Sequence, residues 1–180
     1  MILLRHCQSE FNLHFTRTRR DPGIVDPVLT PLGMRQAEAA AEALSAPGAD
    51  PITRILCSPY RRAIQTATPL AERLGLTVAV TTEVRERFAF VCDVGSAGSV
   101  LRRWRPDLDL SAVPERWWPE DEEQEDAVSA RASAFRDAAM ARSDWRTTLV
   151  VSHWGFLLAL TGRSVGNGEW LRLDPNAPAS

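Results

Sequence analysis

The chain has 180 residues, 44% of them hydrophobic, and 23 acidic residues against 21 basic ones give a net charge of −2. That is the size of one globular domain with a sizeable core, and the near-neutral balance excludes a nucleic acid or a membrane surface as a partner held by bulk charge. No apolar run approaches the ~20 residues that a membrane span needs.

All 21 basic residues are arginine. This excludes a P-loop lysine and a lysine Schiff base, and leaves phosphate handling to arginine, histidine and backbone amides. Cys7, Cys57 and Cys92 are an odd set in a chain too large to need disulfide staples, which points to a reducing cytoplasm. No basic leader precedes the first strand, so no cleavable signal is expected.

Met1-Ile2-Leu3-Leu4 reads as a buried strand that runs directly into Arg5-His6. A polar loop follows through Pro27, with Arg17, Arg19 and Arg20 clustered where they could greet an anionic substrate; His14, inside it, reads as surface. Thr30-Pro31 is a cap-plus-proline helix start, and the helix runs to Leu44 before Pro47-Gly48. Thr53 to Cys57 is a second strand, and Ser58-Pro59 repeats the helix-start pattern. Tyr60, Ala63, Ile64, Ala67, Leu70, Ala71 and Leu74 then give one apolar stripe ending at Gly75. Arg61 and Arg62 lie at the positive end of that helix, where arginine is unfavourable without an anion, so one of the two is expected to face a ligand.

Leu76 to Val80 is a third strand, followed by the charged turn Glu83-Val84-Arg85-Glu86-Arg87. Residues 88–119 lose periodicity and read as a lid-like insertion, with Trp104, Trp117 and Trp118 as its packing. The acidic run Glu120 to Asp126 opens a helix carried on by Val128, Ala132, Phe135 and Ala139, and carboxylates in a first turn suit the helix dipole. Thr147 to Ser152 is the last core strand, with His153 immediately after it and a short apolar helix from Trp154 to Leu160. An edge strand is expected from Trp170 to Leu173 and a frayed tail from Asn176 to Ser180.

The strand ends form a set. His6 and His153 end two strands, Arg5 and one of Arg61 or Arg62 supply cations, and Glu83 or Glu86 supplies a carboxyl, all at one edge of a parallel sheet. Arginine forks match phosphate, a neutral imidazole is a competent nucleophile toward phosphorus, and a carboxylic acid can protonate the leaving oxygen. Such a site needs neither a metal nor another cofactor, because guanidinium groups can carry the charge. The cysteine-based route requires an arginine at a fixed short spacing after the nucleophile, where Leu13, Ala63 and Gly98 stand instead.

The motifs resemble the histidine phosphatase superfamily, which includes the cofactor-dependent phosphoglycerate mutases. The blocks are Leu3-Leu4-Arg5-His6-Cys7-Gln8-Ser9-Glu10-Phe11-Asn12, Leu29-Thr30-Pro31-Leu32-Gly33 with Gln36-Ala37, Ser58-Pro59-Tyr60-Arg61-Arg62-Ala63 with Gln65-Thr66-Ala67, and Val151-Ser152-His153. The resemblance implies an α/β three-layer sandwich, a mostly parallel sheet flanked by helices. It implies that His6 is phosphorylated during the cycle, that Arg5, Arg62 and His153 complete the phosphate pocket, that Asn12 contacts the phosphoryl group with Ser9 beside it, and that Glu86 is the proton donor with Glu83 as the fallback.

Cys7 replaces the usual glycine beside the nucleophile, which raises the prospect of oxidation-sensitive activity. Trp154 replaces a small residue after the second histidine, where it would line the pocket and favour a flat or apolar leaving group. The chain is short beside mutases of this family and its insertion is rich in tryptophan, so the expected activity is hydrolysis of a small phosphorylated metabolite. Mutase-type phosphoryl transfer is the runner-up; a non-turnover phosphate-binding module and a redox module on Cys7 are the alternatives from other classes. Nothing in the sequence sets an oligomeric state.

Overall fold

The computed structural model describes residues 1–176. Of the tail expected to fray from Asn176 to Ser180, residues 177–180 lie outside the described residues. Five strands form one sheet in the order β3-β2-β4-β1-β5: β1 (Ile2–Arg5), β2 (Arg54–Cys57), β3 (Val78–Val80), β4 (Thr148–Ser152) and β5 (Trp170–Arg172). All neighbours are parallel except β5, which runs antiparallel on the outer edge of β1.

Strand alternation divides the core between the two faces of this sheet. Ile2 and Leu4 of β1, with Leu149 and Val151 of β4, pack with α2 (Pro31–Ser45) and α3 (Arg61–Leu74). Leu3 and Val150 point the other way, toward α5 (Glu125–Met140) and α6 (Trp154–Thr161). Because both faces are covered, β1 and β4 must be apolar along their length, which is why they read as unbroken hydrophobic runs. Among the described residues no helix is long and apolar enough to cross a membrane.

Four local expectations are corrected. The polar loop after His6 contains a helix, α1 (Glu10–Thr18). It starts on a capping box in which the Ser9 hydroxyl accepts from the Asn12 amide at 3.3 Å and Asn12 Oδ1 accepts from the Ser9 amide at 3.0 Å. Asparagine in place of the usual glutamate or glutamine hides this signal, and Phe11 is the helix's one buried residue, so no apolar stripe announces it. Ser58 does not cap α3, which begins at Arg61 after Tyr60; its hydroxyl goes to His153. The acidic run lies mostly before its helix, since α5 starts at Glu125. The insertion contains α4 (Gly98–Trp104), a helix too short to show a period.

The loop after β1 is held from the α2 side. Gln8 carbonyl oxygen accepts from the Thr30 amide at 3.0 Å, and the Gln36 side chain accepts from the Gln8 amide at 2.9 Å. Gly33 sits so close that a Cβ there would collide with the Gln8 carbonyl oxygen. Gly33→Ala is therefore expected to cost about 1–3 kcal/mol in urea unfolding, as overpacking does; a change within about 0.5 kcal/mol, the range of an ordinary surface substitution, would mean that the loop moves freely.

Candidate active site

Parallel register builds the centre of the site. Arg5 pairs with Ser152 across β1 and β4, the His6 amide donates to the Ser152 carbonyl at 2.9 Å, and the Ser58 amide at the end of β2 donates to the Val151 carbonyl at 3.1 Å. His6 and His153 thus leave adjacent strands at one level, and Ser58 leaves β2 one residue earlier. The two imidazole rings lie 5.0 Å apart, and His153 Nε2 and Ser58 Oγ share a hydrogen bond of 2.8 Å.

The protons on His6 follow from its partner. Its Nδ1 lies 2.8 Å from the Cys7 carbonyl oxygen, which can only accept, so the Nδ1–H donates and Nε2 is left as the bare lone pair of the neutral ring. Burial first, then the Arg62 and Arg5 charges, holds the His6 pKa well below its ordinary value. His153 is lowered in the same way, by burial and then by Arg62 and His6. The site therefore keeps both rings neutral among cations.

A cavity of about 540 Å³ opens above His6, lined by Arg5, Arg62, Asn12, Glu86 and Trp154 among others. Ser9 also borders it, but the Ser9 hydroxyl donates to Asn12 Oδ1 at 2.9 Å and supports that carboxamide. His153 is fully buried behind His6 and is not on the cavity surface. Arg5 donates from Nη1 to the Val165 carbonyl at 2.8 Å, while Arg5 Nε and His153 Nδ1 are buried with no partner among the described residues. Such unmet polar atoms are costly, and for Arg5, which borders the cavity, an oxyanion is the kind of group that would offset the cost.

Of the two arginines, Arg62 lines the cavity while the Arg61 guanidinium lies 5.0 Å over the Trp104 ring. Arg62 is buried, donating to the Cys92 carbonyl at 2.8 Å and pairing with Asp93 at 3.2 Å. Burial alone would lower its pKa; the Cys92 and Asp93 groups more than offset that and raise it. In the first loop, Arg19 reaches the cavity and Arg17 and Arg20 do not.

Glu86 lines the cavity, whereas Glu83 is exposed and absent from the lining. The Glu86 carboxylate accepts from the amides of Arg87 at 2.8 Å, Phe156 at 3.1 Å and Gly155 at 3.2 Å. Despite these bonds its pKa is raised, by burial first and then by the charge on Asp93. Its backbone is clamped from outside. Arg131 of α5 donates to the carbonyls of Glu83 at 3.0 Å and Arg85 at 2.9 Å. Glu123 pairs with Arg131 at 2.6 Å and with Arg85 at 3.0 Å, and Arg87 pairs with Glu122 at 3.3 Å and Glu125 at 3.5 Å. The acidic run thus holds the two arginines that flank Glu86.

Two further residues matter that the sequence did not single out. Asp93, in the insertion, ties Arg62 down and borders the cavity; Asn167, in the loop after α6, donates to the His6 carbonyl at 3.0 Å and to Asn12 Oδ1 at 3.1 Å. Asp93 ends a three-residue 3-10 turn, Val91–Asp93, and Asn167 lies in a loop, so neither has a spacing to betray it. Trp154 borders the cavity with 43% exposure, its indole nitrogen donating to Ser164 at 2.9 Å. The Cys7 thiol is buried against Leu29 and Ala37, and burial pushes its pKa up to about 11, so it is no reactive thiolate. Of the insertion's tryptophans, Trp117 packs on Tyr60 with rings 4.6 Å apart, and none of the three borders the cavity.

Known proteins fall in line with this arrangement. The family model of the histidine phosphatase superfamily (branch 1) matches residues 1–177. Glucosyl-3-phosphoglycerate phosphatase of Mycobacterium tuberculosis is 30% identical, over 100% of this chain and 87% of its own length. A probable phosphoglycerate mutase of Proteus mirabilis is 29% identical over 84% of this chain and 67% of its own. The solved structure of the mycobacterial glucosyl-3-phosphoglycerate phosphatase with VO3 aligns with a TM-score of 0.66 and 28% identity, covering 94% of this chain and 88% of that one. With its full-length match and two histidines emerging from neighbouring parallel strands, the chain belongs to branch 1 of the histidine phosphatase superfamily.

Proposed function

We propose that this protein is a phosphomonoester hydrolase that works through a phosphohistidine on His6. The observation that carries this reading is the His6 Nδ1–H bond to the Cys7 carbonyl, which leaves Nε2 free in a cavity flanked by Arg5 and Arg62. Nε2 attacks phosphorus as the ester P–O bond breaks, and the carboxylic proton of Glu86 passes to the leaving oxygen. In the second half Glu86 takes a proton from water, the water oxygen bonds to phosphorus, and the P–N bond breaks to release inorganic phosphate and restore His6. Arg5 and Arg62, with His153 behind and the Asn12 amide beside them, stabilise the charge on the transferring group.

Its relatives include phosphatases for glucosyl-3-phosphoglycerate, which supports a small phosphorylated metabolite as substrate. Hydrolysis rather than mutase-type transfer is supported by the cavity's open rim, where Phe90 and Trp154 are 41% and 43% exposed and water has access. Residues 1–180 are read as one domain. The 88–119 insertion is only in part a lid: Ala89, Phe90, Cys92 and Asp93 reach the cavity, while Trp104 and Leu108 pack against the core beside α2 and α3.

Release of phosphate from 4-nitrophenyl phosphate, with no phosphoryl exchange on 3-phosphoglycerate supplied with a bisphosphate primer, is the outcome expected of a hydrolase. His6→Ala should abolish turnover and the acid-labile phosphoenzyme together; residual activity above roughly one-hundredth of wild type would remove His6 from its role. Glu86→Gln should slow alkyl phosphates far more than aryl phosphates, whose leaving groups need little protonation. Glu83→Gln should leave that ratio alone, and the reverse pattern would reassign the donor.

The pH profile follows from two opposed shifts. A lowered His6 pKa keeps the nucleophile neutral well into acid, and a raised Glu86 pKa keeps the donor protonated above the usual carboxyl range. Measured kcat is therefore expected to be high at mildly acidic pH and to fall as pH rises through the Glu86 titration. Asp93→Asn removes a charge that raises Glu86, so it should move this alkaline limb to lower pH; a kcat that instead climbs through the ordinary histidine range would contradict the assignment.

A further inference from the structure

The cavity is larger than a phosphoryl group needs, and its outer wall is aromatic. One face of α1 lines it with Phe11, Asn12, Phe15 and Thr16. Phe11 and Phe15 stack at 5.2 Å between centroids, and Phe90 from the insertion meets both, at 5.4 Å each. Although it touches two rings, Phe90 remains 41% exposed, so the cluster is finished on its inner side and open on the side that faces the cavity.

The helix also sets a distance. Asn12 stands at the phosphate end, and Phe15 lies one turn further along the same face, roughly 5–6 Å away between Cβ atoms. A ring joined to the phosphoryl group by one or two bonds spans that gap. A saturated sugar ring would offer less flat apolar contact, and the hydroxyls on its rim would lie beside phenyl groups that give them no hydrogen bond. A flat unsaturated ring instead gains face or edge contacts with Phe15 and Phe90, which the buried Phe11 backs.

We propose that Phe11, Phe15 and Phe90 form a ring-binding subsite that selects phosphomonoesters carrying a flat aromatic ring within one or two bonds of the ester oxygen. This rests on the phosphatase reading above and extends it to the leaving group. Benzyl, cyclohexylmethyl and ethyl phosphate are esters of primary alcohols, so they compare ring binding without a large change in leaving-group basicity. Wild-type kcat/KM for benzyl phosphate should exceed that for ethyl phosphate by about tenfold or more, with cyclohexylmethyl phosphate between them. Phe15→Ala and the milder Phe90→Leu should pull the benzyl-to-ethyl ratio toward one, mainly through KM for the benzyl ester. Equal wild-type values, or variants that lower all three esters alike, would overturn the subsite. If no ester and no 4-nitrophenyl phosphate is hydrolysed, the phosphatase reading fails by itself. The subsite is then judged by calorimetry with benzylphosphonate and ethylphosphonate, where tighter binding of the benzyl compound supports it and equal affinity rejects it.

Discussion

Parallel pairing of β1 with β4 is the constraint on which the site depends. Because Arg5 stands opposite Ser152, the next residue on each strand is a histidine, and the two rings come within 5.0 Å of each other without any long-range loop having to place them. β2, on the far side of β4, ends one step away and delivers Ser58 to His153. A slip of one residue in the β1–β4 pairing would turn the apolar side chains of β1 to the wrong face of the sheet, so core packing and site geometry enforce the same register.

Burial then fixes the electrostatics. Arg62 is 3% exposed and is held by the Asp93 carboxylate and the Cys92 carbonyl; burial of the two imidazoles first, and then its positive charge with that of Arg5, lowers both histidine pKa values. A neutral ring with Nδ1–H committed to the Cys7 carbonyl is chemically a lone pair on Nε2. The same burial raises Glu86, helped by Asp93, so cations that suppress protonation of the histidines coexist with a carboxyl whose pKa is shifted upward. Groups with pKa values driven apart in one cavity are the arrangement that acid–base catalysis requires.

Glu86 is held by two separate devices. Inside, its carboxylate meets the amides of Gly155 and Phe156 in the first turn of α6, and a Cβ on Gly155 would come within 2.7 Å of the carboxylate oxygen. Outside, Arg131 and the Glu122–Glu125 strap grip the backbone and the flanking arginines. Glu123 is 8% exposed, and a buried carboxylate bound by two guanidinium groups is a poor source of net stability but a strong fixer of position.

The sequence by itself determined the strands, the helices α2 and α3 on one face of the sheet, and the convergence of Arg5, His6, His153 and a carboxyl from Glu83 or Glu86 on one edge. It could do so because strands covered on both faces are apolar runs, and because a strand's last residue is set by local pattern. The choice of Arg62 over Arg61 and of Glu86 over Glu83 came from the family resemblance; Arg62 and Glu86 line the cavity, and Arg61 and Glu83 do not. Tertiary structure alone decided α1, whose cap is a Ser9–Asn12 pair and whose exposed face becomes a cavity wall only when Phe90 folds against it. It likewise decided the parts played by Asp93, Asn167 and the acidic strap. Each acts through a partner distant in sequence, Asp93 on Arg62, Asn167 on His6 and Glu123 on Arg85, and no local periodicity encodes such pairs. Cys7 shows the same limit from the other side: its place beside His6 suggested reactivity, and packing against Leu29 and Ala37 withdrew it.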